Sequence, residues 1–136
     1  MPTLTDYLVL RDGSVELDSE FDHTAESVFS LEGDFTAGTR LAKPILAFIV
    51  KPLSANAKMN VVVGSDPGGS EGFLQKSRTV SQIVFNGASS HDQGLWEAFS
   101  GELLTPRAKN VVSFIATEGR LRVRDVVLWH QRAASA

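Results

Sequence analysis

From Asp6 to Gln131 the sequence is a succession of short runs rich in Val, Ile, Leu and Phe, and nearly every run is cut off by residues that turn a chain. Asp12-Gly13, Glu32-Gly33-Asp34, Asn86-Gly87, Thr105-Pro106 and Glu118-Gly119 make the cuts. No stretch of comparable length repeats its apolar residues at helical spacing between capping residues, so helix content is expected to be small. The runs predict nine strands, over 6–10, 14–17, 26–31, 44–51, 59–64, 80–86, 95–99, 110–117 and 121–131. Short strands in this number bury their apolar faces by stacking two sheets, so the expectation is an all-β sandwich of about nine antiparallel strands. At 136 residues, with no linker or repeat, one domain over residues 1–136 is expected.

The last run, RLRVRDVVLWHQ, is the most informative. Leu121 and Val123 alternate with Arg120, Arg122 and Arg124, which makes one face apolar and the other cationic. After Asp125 both parities are apolar, in Val126, Val127, Leu128 and Trp129. Either the strand passes under a covering layer or a bulge at Arg124-Asp125 exchanges its faces. With the preceding NVVSFIAT it reads as two strands joined by a tight turn at Glu118-Gly119.

The stretch VVVGSDPGGSEG invites comparison with a phosphate-binding loop and fails it. Such a loop needs a lysine for the phosphates and a helix that starts at once. Here Ser70 and Glu71 follow Gly69, and the chain continues into β-branched residues around Thr79 and Val80. It reads as a long connection between strands.

Composition excludes further classes. There is no cysteine, so disulfides and thiolate metal sites are ruled out. Hydrophobic residues at 43% and charged residues at 21% belong to a globular chain. The first 34 residues hold nine acids against Arg11 alone, and this acidic segment reads as a solvated face that does not have calcium-loop spacing. The charge balance argues against a nucleic-acid partner, and no apolar run approaches a membrane span. With no signal peptide visible, a cytoplasmic location is the default expectation.

From residue 40 to 131 the order of strands resembles the galactose-binding-like jelly-roll superfamily, which includes many carbohydrate-binding modules and lectin-like domains. The residues that carry the resemblance are Asn86-Gly87, Leu104-Thr105-Pro106, Asn110 and Asp125. They match an Asn-Gly turn, a Leu-x-Pro-Gly-x-Asn phrase ahead of a buried strand, and an Asp amid the aliphatics of the last strand. Arg107-Ala108-Lys109 stands where that phrase has its glycine. The resemblance implies a jelly-roll sandwich that binds a ligand. A structural calcium known in some members is not carried over, since no early acidic partner for Asp125 is identifiable.

No catalytic set is legible. His91 and Asp92 are sequence neighbours whose side chains diverge, and His23 and His130 stand alone. Aromatic residues matter more to a binding module, because a sugar lays its C–H face on an aromatic ring. Trp129, set among aliphatics, reads as core or interface; Trp96 lies at the mouth of the polar loop SSHDQG. The expected ligand face is His91, Asp92, Gln93 and Trp96 at one end of the sandwich, with the glycine-rich loop as a movable wall. The function expected is non-catalytic binding of carbohydrate or another polar ligand, without cofactor or metal. The alternative is an assembly protein that forms a homo-oligomer through a sheet face, where the acidic amino segment and Arg120, Arg122 and Arg124 could meet.

Overall fold

The computed structural model describes residues 3–31, 43–66, 76–87 and 91–133. Among them are eight strands: β1 (Thr3–Asp18), β2 (Thr24–Phe29), β3 (Ile45–Pro52), β4 (Lys58–Asp66), β5 (Lys76–Val84), β6 (Gln93–Ala98), β7 (Lys109–Glu118) and β8 (Arg120–Ala133). One 3-10 turn, Gly101–Leu103, precedes β7. The strands form two sheets in the orders β1-β8-β3-β6 and β2-β7-β4-β5, with every neighbouring pair antiparallel. This interleaving of first and last strands in two four-stranded sheets is a jelly roll. Among the described residues no helix is long and apolar enough to cross a membrane.

Alternation within each strand builds the core. Leu46, Phe48, Val50 and Pro52 of β3 are buried, and the residues between them are half-buried. From the facing sheet come Met59, Val61 and Val63 of β4 and Val112, Phe114 and Ala116 of β7. Phe48 and Phe114 meet edge to face across the sandwich, ring centroids 5.0 Å apart and planes at 66°. That is the arrangement the ring quadrupoles favour, and it fixes the distance between the sheets.

Two expected turns have other roles. The first two expected strands are one, β1, because Asp12-Gly13 does not reverse the chain. Gly13, at φ +98°, instead lies in an irregularity of the β1–β8 pairing, which shifts register between Val9 and Arg11 and again before Ser14. An edge strand can absorb extra residues as a bulge without losing its partner. Glu118-Gly119 is likewise no hairpin. β7 belongs to one sheet and β8 to the other, so Gly119, at φ +73°, turns the chain around the rim of the sandwich. A Cβ built on Gly119 would stand 2.5 Å from Ser54 Oγ and 3.1 Å from the Ala57 Cα. Only glycine fits there without displacement.

The residues behind the resemblance are structural. Asn110, fully buried at the start of β7, accepts a hydrogen bond from Thr105 N at 2.8 Å and donates to the carbonyls of Thr105 and Ala108 at 3.0 and 3.1 Å. It thereby holds the 104–109 loop in place of a regular ladder. Arg107 takes φ +57°, the left-handed conformation that the missing glycine would adopt freely. The turn expected at 32–34 and the glycine-rich stretch from residue 67 to 75 lie outside the described residues.

The exchange of faces in β8 is a bulge. Leu121, Val123, Val126 and Leu128 are all buried, so inward parity changes between 123 and 126. Asp125 sits at the change with φ +53°, and the β3–β8 register slips at the same place, between Ala47 and Ile49. Asp tolerates this conformation better than most residues other than glycine.

Candidate functional site

The bulge at Asp125 determines which side chains the first sheet shows to the outside. Without it the inward parity of Leu121 and Val123 would continue through Val127 to Trp129. With it, Val127 and Trp129 turn outward, and Trp129 is 44% exposed. Of the two readings of Trp129, core or interface, the first is thus corrected: of the covering layer and the bulge, the aliphatic residues on both parities reflect the bulge and its change of face.

Register carries the outer face across four strands. Tyr7 of β1 is opposite Trp129 of β8, which is opposite Ile45 of β3, which is opposite Ala98 of β6. The next row is Val9, Val127, Ala47 and Trp96. Tyr7 is 59% exposed, Val9 51% and Trp96 76%. Tyr7 and Trp129 pack with centroids 5.3 Å apart, tilted at 42°. The middle of this face is therefore an apolar belt with three accessible aromatic rings.

One end of the belt is charged. Past the bulge the outward row is Ser14, Arg124, Ile49 and Gly94, followed by Glu16, Arg122 and Lys51. Glu16 stands directly opposite Arg122, and Asp18 opposite Arg120, so the acidic amino segment and the arginine series meet within the chain. Asp92, just ahead of β6, reaches over β3 to Arg124 at 3.1 Å and Arg122 at 3.6 Å. Arg124 also holds Asp125 at 2.6 Å, and Asp125 Oδ1 accepts the Gly13 N–H at 3.2 Å. The Arg124 hydrogen bond holds the Asp92 carboxyl below its ordinary value. The Gly13 N–H, then Arg124, does the same for Asp125. Arg124 is raised, chiefly by its hydrogen bond to Asp125. All three stay ionised at neutral pH, which leaves an ion-paired strip of donors and acceptors beside the rings.

At the opposite end the face closes on a depression of about 90 Å³ lined by Thr5, Lys43, Ile45, Trp129, His130 and Gln131. Gln131 Nε2 donates to Thr5 Oγ1 at 3.4 Å across the β1–β8 pair.

The four residues expected to form the ligand face are divided. Asp92 and Trp96 share the outer parity of β6 and its approach. Gln93 has the other parity, in register with the buried Val50, though its side chain is exposed at the edge. His91 is exposed ahead of Asp92. Tyr7, Trp129, Arg122 and Arg124 join the face from strands distant in sequence. The one signal that pointed to Trp129 was the change of parity at Asp125. Among the described residues no group of three or more His, Asp or Glu side chains is placed to hold a metal ion.

No family model and no curated protein matches the chain by sequence. Solved structures match it by fold. A protein of the infectious bursal disease virus T13 particle has a TM-score of 0.57 at 10% identity over 98% of the chain. The chain spans 36% of that protein's length. The xylan-binding module CBM15 gives 0.50 at 14% identity, over 98% of this chain and all of the module. The CBM22-1–GH10 modules of Clostridium thermocellum endo-1,4-β-D-xylanase 10B, complexed with xylohexaose, give 0.50 at 9% identity, over 94% of this chain and 29% of that one. At these identities the likeness is one of fold, a β-sandwich of the jelly-roll kind expected from the sequence.

Proposed function

We propose that the chain is a carbohydrate-binding module whose ligand lies across the outer face of the β1-β8-β3-β6 sheet. The observation that carries this reading is the exposure of Tyr7, Trp96 and Trp129 on one sheet face beside the Asp92–Arg122–Arg124 strip. Aromatic rings take the apolar face of a sugar, and an ion-paired strip supplies both donors and acceptors to its hydroxyls. Trp96 and Trp129 are two strands and two residues apart, on the order of 12 Å between Cα atoms at about 4.8 Å per strand and 3.3 Å per residue. One sugar ring cannot touch both, so the ligand is an oligosaccharide. The xylan-binding and xylohexaose-bound modules of the same fold support xylo-oligosaccharides as the first to test.

Calorimetric titration with xylose and with xylo-oligosaccharides of increasing length tests the reading. Affinity is expected to rise with length until both tryptophans are covered and then level off. Absence of binding across a panel of plant and microbial polysaccharides overturns it. A second reading, self-association through the same face, is favoured by Val9, an exposed aliphatic residue that a sugar does not need. Light scattering separates the two, since a binding module stays monomeric with the face free.

A further inference from the structure

We infer that Asp92 Oδ1 and the Arg122 guanidinium together hold one hydroxyl of a neutral glycan, whereas Arg124 serves the scaffold; this rests on the glycan reading above. The two arginines are differently engaged. Arg124 uses both terminal nitrogens inside the protein, one holding Asp125 at 2.6 Å and the other donating to Asp92 Oδ2 at 3.1 Å. Arg122 Nη2 stands 3.6 Å from Asp92 Oδ1, an attraction of charges too long for a hydrogen bond. Among the described residues no group accepts a hydrogen bond from its buried Nε. The Arg122 and Asp92 side chains are 31% and 30% exposed, so a ligand on the face can reach both.

The pair has fixed roles. Asp92 is kept ionised, first by its hydrogen bond to Arg124, and can only accept; a guanidinium can only donate. A hydroxyl group does both at once. Its oxygen, at about 2.8 Å from each atom, closes a triangle over the 3.6 Å gap. An ether oxygen would take the Arg122 donor and give Asp92 nothing. A carboxylate would meet the Asp92 charge at the same distance. Around the pair the cations Lys51, Arg122 and Arg124 are matched by Glu16, Asp92 and Asp125, with Glu16 and Lys51 opposite Arg122 on either side, so the site favours a neutral ligand.

The test measures xylohexaose affinity by calorimetry, and melting temperature, for the wild type, Arg122→Met, Asp92→Ala and the double variant. Each single change is expected to weaken binding about tenfold, the loss of one hydrogen bond to a charged group. The double variant should lose clearly less than the sum, because one hydroxyl serves both groups. Methionine keeps an unbranched apolar stem and Arg122 gives up no hydrogen bond, so Arg122→Met should melt near the wild type, while Asp92→Ala, which strips Arg124 of a partner, melts lower. Unchanged affinity in either single variant, or losses that simply add, overturns the shared hydroxyl and leaves the glycan reading to the aromatic rings. A melting temperature that falls as far in Arg122→Met as in Asp92→Ala makes Arg122 part of the scaffold and overturns it too. A wild-type protein that does not bind xylohexaose overturns the pair together with the xylo-oligosaccharide reading beneath it.

Discussion

Asp125 accepts the backbone N–H of Gly13 at 3.2 Å, which ties the irregularity in β1 to the bulge in β8. Each strand carries an extra residue or two at the same level of the sheet, and each uses a left-handed conformation to accommodate it. Asp125 is suited to its place twice over. Its side chain bonds Gly13 and Arg124, and Asp is among the residues that tolerate positive φ.

That relationship separates two substitutions. Asp125→Gly keeps the backbone conformation and loses the side-chain bonds, whereas Asp125→Ala loses both. The melting temperature is expected to fall in both variants and further for alanine. An alanine variant as stable as the glycine one would mean that the bulge does not depend on backbone conformation.

The pH dependence follows from the same carboxylates. The native values of Asp92 and Asp125 lie below their unfolded ones, so their contribution is complete well above the ordinary Asp value of about 3.9 and is lost as pH falls through the native values. Thermal unfolding followed from neutral pH to pH ~2 should show stability declining below about pH 4, and Asp92→Asn should make that decline shallower. An unchanged acid limb in the variant would show that Asp92 has no native-state advantage.

Arg107→Gly should stabilise the fold. A non-glycine residue at φ +57° bears a backbone cost of about 1 kcal/mol, which glycine escapes, although glycine also adds entropy to the unfolded chain. Chemical denaturation is expected to show a gain of up to about 1 kcal/mol. A loss would mean that contacts of the Arg107 side chain, together with the entropy glycine adds to the unfolded chain, outweigh its strain.

Gly119→Ala should do the reverse. The new methyl meets Ser54 Oγ, which accepts the Arg120 N–H at 2.9 Å, and the Ala57 backbone behind it. Left-handed strain and the displaced hydrogen bond together predict a loss of about 2 kcal/mol or more. A variant of wild-type stability would place the inter-sheet corner under less constraint than its geometry indicates.

These positions also show what was legible in the sequence. β3 and β4 were readable as apolar runs, and the alternation of Leu121 and Val123 with three arginines in β8 was readable because a strand buried on one face repeats every second residue. The fate of Asp12-Gly13 and Glu118-Gly119 was not, since the same residues serve a hairpin, a bulge or a corner between sheets. Partners far along the chain decide which. Trp96 entered the expected ligand face because a polar loop leads into it, and it is exposed. Trp129 did not, because its aliphatic neighbours look alike whether a strand is covered on both sides or exchanges its faces. The outer face draws on residues from Thr5 to Gln131, so no local window contains it.

The most direct test of the binding face is the affinity of Trp96→Ala and Trp129→Ala for the longest xylo-oligosaccharide the wild type binds, with the melting temperature of each variant measured alongside. Both rings reach solvent, so neither substitution should unfold the protein. Each should weaken binding by about tenfold or more, as loss of an aromatic anchor does. Affinity unchanged in both variants, at unchanged melting temperature, would contradict a ligand lying across this face.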